Sequence, residues 1–519
     1  MKNRSELDER IVDRIVDECY ELYSKVCKQK KKVLSKNEWT NMACVVKTMG
    51  QVGQDIEVIS LATGTKCIGE CHRVQTGRLL NDSHAEVLAR RLFMKYLYKE
   101  IRMALDCHNT NSIFVLDGNK VRLKEDIQFH LLTTEIPCGD ASIFPKTSVV
   151  VSHKPSNNTD SKREHTDELC RQPDTNKRQR IDPKGRTLDN QQVMEKCIYD
   201  EKLHLQKPLW VDSKTTQSFD QQKQCDPDND IGQLDLKQNH ENAGSGYKAC
   251  NVSNCANTTN SSLTSKNEES KSKILQDADI FRTGAKCVPS GRQDPLGEGG
   301  QYHTTGALRI KPGRGFRTMS MSCSDKILKW CTLGIQGGLL SNFIHDGIFL
   351  SSIILTSPNF DESAFSRALS FRGRDSFESL VMRKVDVLHV DERPFADGKE
   401  RVQQRCLNEK ITSSGVAILW CGVCAIHSFS SNGRKHGIIK KHFNSDIACT
   451  PICKLKLFND FHETLNHSPL LEKSVDGGLG RTYHHFKHSS IGYEKQRELF
   501  FKVFHDWTRK PSAHEQFTI

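Results

Sequence analysis

Asn81-Asp82-Ser83-His84-Ala85-Glu86-Val87-Leu88-Ala89-Arg90-Arg91 sets a histidine and a glutamate, two residues apart, at the start of a run whose apolar positions recur at helical spacing through 87–98. Side chains so placed in a first helical turn put one group on a metal and the other beside its water. Upstream, 56–64 alternates like a strand and closes on a glycine turn. Downstream, Ile113-Phe114-Val115-Leu116 and Phe129-His130-Leu131-Leu132-Thr133 have the same character. Strands alternating with helices predict a layered α/β domain. Residues 327–333, 348–355, 416–421 and 498–507 supply further helices and strands. At the N-terminus Ile11, Val12, Ile15, Val16, Cys19, Tyr20, Leu22 and Tyr23 predict an amphipathic helix packed on the body. No internal repeat of fixed period is present.

Between 152 and 280 this patterning gives way to Asn, Ser, Thr, Gln, Lys and Asp, as in Asn251-Val252-Ser253-Asn254. Such composition cannot bury enough apolar surface to offset chain entropy, which predicts a disordered polar insertion between two parts of one domain, 1–151 and 281–519. The formal net charge of +11 favours a polyanionic partner without separating RNA, DNA and inositol phosphates. Lys28-Gln29-Lys30-Lys31-Lys32 and Lys177-Arg178-Gln179-Arg180 each suit an RNA contact, a nuclear address or a solvated tract. No stretch approaches the ~20 apolar residues that cross a bilayer, and the charged start lacks a signal-peptide core, so an intracellular chain of nucleus or cytoplasm, free of membrane and of any obligate protein partner, is expected. Twenty cysteines in such a chain read as reduced thiols, a few of them metal ligands.

The chemistry turns on a second motif. Pro137-Cys138-Gly139-Asp140 follows a strand, its proline suits a first helical turn, and a thiolate there would meet a positive helix terminus. A hydrolytic zinc site needs three protein ligands, an open position for water and a carboxylate that is not a ligand. Zinc brings the pKa of water toward about 7, and Glu86 would carry its proton to a ring nitrogen and the departing amine. Ser83-x-x-Glu86 alone also fits a capping box, with Glu86 only satisfying a backbone donor. The Pro-Cys-x-x-Cys pattern is incomplete, because Gly139-Asp140-Ala141 follows Cys138. Either the site is dead or its third ligand lies elsewhere, and Cys323, before another apolar helix, is the best candidate. Cys421-Gly422-Val423-Cys424 has metal spacing without a second pair. Cys67 with Cys71, and Cys449 with Cys453, likewise lack partners.

Four motifs in order, Asn81-Asp82-Ser83-His84-Ala85-Glu86, Pro137-Cys138-Gly139-Asp140-Ala141, Met321-Ser322-Cys323-Ser324-Asp325-Lys326-Ile327 and Gly334-Ile335-Gln336-Gly337-Gly338-Leu339-Leu340-Ser341, closely resemble the deaminase domain of the RNA-editing adenosine deaminases. The resemblance implies a cytidine deaminase-like three-layer core, a mixed sheet between helices, with a C-terminal helical elaboration enclosing inositol hexakisphosphate. It puts one zinc ion on His84, Cys138 and Cys323, with Glu86 as proton shuttle. Its inositol phosphate contacts fall on Asn81, Arg90, Arg91, Lys326, Lys329, Tyr483, Lys487, Tyr493, Arg497, Trp507 and Lys510, and a relay from the metal to the phosphate runs through Asp82 and a lysine, here assigned to Lys286. A buried polyphosphate offsets the desolvation of cations that otherwise have no place in an interior.

Editors of long duplexes carry separate RNA-binding modules. Fewer than about 55 residues precede the first expected strand, and the insertion is too polar to hold one. The chain is therefore more similar to the branch that acts on tRNA, converting adenosine 37, next to the anticodon of alanine tRNA, to inosine. The alternatives are an editor of duplex or messenger RNA, a small-molecule cytidine or nucleotide deaminase, and an inactive RNA-binding homologue.

Overall fold

A computed structural model describes residues 9–28, 34–50, 55–106, 111–146, 279–312, 317–467 and 480–519. Nearly all of the polar insertion, residues 30–32 and Lys177-Arg178-Gln179-Arg180 lie outside the described residues. The helices used below are α1 (Glu9–Lys28), α2 (Ala85–Leu105), α3 (Cys323–Leu333), α4 (Glu362–Ala368), α5 (Lys399–Arg405), α6 (Lys454–Asn466), α7 (Tyr483–Lys487) and α8 (Ile491–Val503).

The central sheet consists of β1 (Met42–Met49), β2 (Asp55–Thr63), β3 (Ile127–Thr133), β4 (Ser352–Leu355), β5 (Asp386–His389), β6 (Val416–Cys421), β7 (Ile426–Ser431) and β8 (Arg434–Lys435), in the spatial order β5-β4-β3-β1-β2-β6-β7-β8. β3, β4 and β5 run parallel, whereas β1 joins β3 and β2 in antiparallel pairs, so the sheet is mixed. Its two faces bury alternate residues. Ala43, Val45 and Leu131 face the core under α2, built on Leu88, Ala89, Leu92 and Phe93. Met42, Cys44, Val46 and Leu132 face α1, which buries Ile11, Val12, Ile15, Val16, Cys19, Tyr23 and Val26. At ~1.5–3 kcal/mol for each large apolar side chain removed from water, that stripe holds α1 on the sheet by on the order of 10 kcal/mol before chain entropy is counted. The result is helix, sheet, helix, the three layers expected.

β1 was not anticipated. Buried on both faces, it reads as the unbroken run Met42-Ala43-Cys44-Val45-Val46 and lacks the period of two that reveals a half-buried strand. It lies upstream of the strand expected at 56–64. The run at 113–116 is a strand, Phe114–Asp117, but pairs only with Lys120–Leu123 in a separate hairpin. The parallel strands β3, β4 and β5 end together at Thr133, Leu355 and His389. The C-terminal edge of parallel strands is where α/β sheets hold ligands.

Candidate active site and anion cavity

Three loops meet at that edge. His84 ends the short strand Asp82–His84, which pairs with Thr65–Cys67, and occupies the cap position of α2. Ser83 lies in the strand and forms no cap, so the capping-box alternative is not realised. The His84 amide instead donates to Asp82 Oδ1 at 3.1 Å, fixing the turn that presents the imidazole. Glu86, one position into the helix, is buried.

Cys138 leaves β3 and enters a three-residue 3-10 turn, Asp140–Ser142, too short to supply the helix terminus expected for its thiolate. That terminus comes from α3. The Cys323 amide, at the first position of α3 behind the Ser322 cap, donates to Cys138 Sγ at 3.4 Å. The two cysteine loops are thus docked through the backbone. Gly139 makes this approach possible. Its φ is +116°, and a Cβ there would stand 2.2 Å from Ser322 Oγ and 2.5 Å from Ser324 Oγ. We expect Gly139→Ala to part the cysteine loops and lower zinc content well below one per chain, measured by elemental analysis. Full zinc occupancy in that variant would contradict the close-approach account.

The Nδ1 of His84 and the sulfurs of Cys138 and Cys323 all lie within 4.8 Å of one another, with His84 Nδ1 at 3.9 Å from Cys138 Sγ and 3.6 Å from Cys323 Sγ. A tetrahedral ion with bonds of about 2.0–2.1 Å to nitrogen and 2.3 Å to sulfur needs nitrogen–sulfur edges of about 3.6 Å, so the trio fits one. Hydrogen bonding to Cys323 outweighs burial and, with the charges of His84 and Lys311, holds the Cys138 thiol well below its ordinary pKa. Burial and then Cys138 push Cys323 well up, so one thiolate is already favoured before any ion binds.

The carboxylates that follow each cysteine brace the loops. Asp140 Oδ1 accepts from the Gly306 amide at 2.7 Å while its Oδ2 meets Arg367 of α4 at 3.0 Å. Asp325 pairs with Arg372 at 2.8 Å, both fully buried, and accepts from the Arg309 amide at 2.9 Å.

Lys286, the expected relay lysine, does not reach Asp82. It is exposed, on a two-residue strand that pairs with Arg309–Pro312. The lysine at Asp82 is Lys311, fully buried, with Nζ 2.8 Å from Asp82 Oδ2. Lys326 meets the same oxygen from α3. Lys286 lies on an edge strand and is exposed, whereas Lys311 sits in the middle strand of this three-stranded sheet, beside buried Ile310 and fully buried Arg309. Burial opposes ionisation of Asp82, but Lys311 and Lys326 overcome it and hold the carboxyl well below its usual range.

Every residue assigned to the inositol phosphate, namely Asn81, Arg90, Arg91, Lys326, Lys329, Tyr483, Lys487, Tyr493, Arg497, Trp507 and Lys510, lines a single cavity of about 600 Å³ between α2, α3, α6, α7 and α8. Asp82 borders it, so the metal trio and the cavity share one carboxylate. Lys454, Arg509 and Glu515 also line it, and of these Lys454 and Glu515 escaped the sequence reading. Lys454 and Lys487 share Glu515 at 2.8 and 2.6 Å. Nine Lys and Arg side chains face four carboxylates in this space. Burial, then Arg497, Lys487 and Arg90, drives Lys329 well below its ordinary pKa. Burial, then Lys454, Lys326 and Arg73, does the same to Lys510, and burial brings Lys454 to about 8 and Arg90 to about 10. Cations that depress one another in an enclosed space fit a polyanion between them.

Residues 60–511 match the adenosine-deaminase (editase) domain family. The chain belongs to that family. It is 30% identical over 554 residues to tRNA-specific adenosine deaminase 1 of Mus musculus, covering 97% of this chain and 99% of the relative, and 26% identical over 485 residues to the Drosophila melanogaster protein of the same name, covering 92% and 89%. With double-stranded RNA-specific editase B2 of Mus musculus it shares 41% identity over 106 residues, 20% of this chain and 14% of the relative. Membership in the editase family makes this chain an adenosine-deaminating hydrolase, and end-to-end coverage separates the first two relatives from the third.

Proposed function

We propose that the protein is a zinc-dependent tRNA adenosine deaminase that hydrolyses adenosine to inosine and ammonia at position 37, next to the anticodon of alanine tRNA, with inositol hexakisphosphate enclosed in its basic cavity. The observation that carries the chemistry is the convergence of His84, Cys138 and Cys323 beside buried Glu86. Zinc held by the trio supplies the Lewis acidity that makes water nucleophilic at neutral pH. Glu86 takes the proton released as the carbon–oxygen bond forms at C6, delivers it to N1, and then serves the amine as the carbon–nitrogen bond breaks. Asp82 holds the His84 turn through the backbone amide.

The tRNA assignment rests on the length over which the tRNA-specific relatives align. A second cavity, of about 470 Å³, supports an RNA partner: it opens beside Ser83 and is lined by Lys66, His72, Arg434 and Phe443, with Lys435, Lys440 and Lys441 exposed close by in sequence. The cations suit phosphates and the aromatic ring suits an unstacked base.

Incubation of the protein with tRNAs, followed by mass spectrometry, is expected to find inosine at a single loop position of alanine tRNA. Inosine only in long duplex RNA would reassign the substrate. Protein denatured after purification is expected to release about one equivalent of inositol hexakisphosphate. Its absence from fully folded, active protein would remove that cofactor from the proposal.

A further inference from the structure

The turn between β7 and β8 is Asn432-Gly433, with φ of +50° and +74°, the two positive angles of the hairpin turn this dipeptide favours. It is docked on the chain that leads into the metal-site motif. The Leu80 amide donates to the Gly433 carbonyl at 3.0 Å, and a Cβ on Gly433 would stand 2.2 Å from the Leu80 carbonyl oxygen. Arg434, the next residue, is thereby fixed on the wall of the 470 Å³ cavity. Its guanidinium carbon lies 4.4 Å from the centroid of the Phe443 ring, which lines the same cavity, and its Nε donates to the Phe443 carbonyl at 3.4 Å. Ring and guanidinium form one flat platform held at two points.

Gly64, Thr65 and Ser83 line this cavity too, and they belong to the metal site. Ser83 precedes His84, Thr65 pairs with His84 across antiparallel strands, and the Gly64 carbonyl accepts from the Ala85 amide at 3.0 Å. Paired Cα atoms in such strands are about 4.5–5.5 Å apart, so the cavity begins one residue away from a metal ligand. Two hydroxyls on its wall, Ser430 Oγ and Thr65 Oγ1, are buried and find no hydrogen-bond partner among the described residues; Ser430 is only 1% exposed. Each can donate and accept, and buried polar atoms left in this state mark a space that a hydrogen-bonding ligand completes. The volume is within the range of roughly 300–1,000 Å³ that small-ligand pockets occupy.

We propose that this cavity takes the base of a nucleotide adjoining the target adenosine, stacked on the Arg434–Phe443 platform with its hydrogen-bonding edge toward Ser430 and Thr65. The inference rests on the deaminase reading above and gives one occupant to a surface there assigned only to RNA. A target base drawn out to the metal leaves its neighbour without a stacking partner, and unpaired RNA bases stack on aromatic rings and on guanidinium planes. A phosphate alone would need the cation but not the enclosed hydroxyls.

The test uses the full-length, zinc-loaded protein and anticodon stem-loops carrying an abasic residue on the 5′ or the 3′ side of the target. Wild type is expected to lose roughly tenfold or more in kcat/KM when the base is removed at one of these positions. Two variants should abolish that penalty. A Cβ at Gly415, on the cavity wall, meets no atom within 4 Å, so Gly415→Leu fills the space without a clash. Arg434→Lys keeps the charge and loses the plane. Both should be slower on the intact stem-loop and lose little more on the abasic one. No penalty for wild type at either position overturns the proposal. So does a wild-type penalty in both variants, which would make the cavity a bystander, or in Arg434→Lys alone, which would make Arg434 a phosphate contact. No inosine from wild type on the intact stem-loop would instead sink the deaminase reading, and this inference with it.

Discussion

Glu86→Gln is expected to reduce inosine formation by about 10⁴-fold while zinc content stays near one per chain and RNA binding is retained. The magnitude is the upper range for a single group performing general acid–base catalysis. Glu86 is buried beside the metal trio and within electrostatic reach of Cys323 and Lys311. It is not one of the ligand atoms that cluster within 4.8 Å, so the amide leaves metal binding intact while removing the only group given the proton to carry. Cys323→Ala provides the contrast. It should lose both activity and zinc, because one of three protein ligands disappears and the Cys138 sulfur loses the thiol hydrogen-bonded to it. Measurement of zinc by elemental analysis beside single-turnover kinetics separates the two. More than about 1% of wild-type rate in Glu86→Gln would mean that another group moves the proton.

Much of this site could be read from the chain because its chemistry is concentrated in short contiguous motifs. His84, Glu86, Cys138 and Cys323 each sit at an element boundary, where spacing and flanking apolar runs are informative. The cavity residues were legible through resemblance in spacing, and all of them converge. What failed has a common physical origin in long-range pairing. Lys286 and Lys311 are both lysines beside apolar residues in short strands. Only the antiparallel register that pairs Lys286 with Ile310 decides which is at the open edge and which is enclosed. The helix terminus serving Cys138 is likewise contributed by a segment 185 residues away. Lys454 and Glu515 were missed because a cation on one helix and an acid near the C-terminus carry no sequence mark of their shared ion pair. β1 was hidden by being too apolar, not too polar.

Asp82→Asn is expected to destabilise the protein by about 3–5 kcal/mol in thermal or urea unfolding, the usual cost of stranding one partner of a buried ion pair. Asparagine keeps the shape of aspartate and an oxygen able to accept the His84 amide, so zinc content should fall little. The loss comes from charge. Lys311 is fully buried, and Asp82 is the carboxylate at 2.8 Å from its Nζ. Burial alone would depress the Lys311 ammonium, yet the charge of Asp82, with those of Cys323, Cys138 and Glu86, holds its pKa well above the ordinary value. Lys326, released from the same oxygen, would add to the uncompensated positive charge facing the cavity and make folding depend more strongly on the enclosed anion. Adding Lys311→Met removes the stranded ammonium and replaces it with an apolar chain of similar length. The double variant should therefore regain much of the stability lost by Asp82→Asn alone, a coupling of about 2 kcal/mol or more in a double-mutant cycle. Strictly additive losses would show that Lys311 is stabilised by groups other than Asp82, and would sever the link between the metal site and the basic cavity at its central carboxylate.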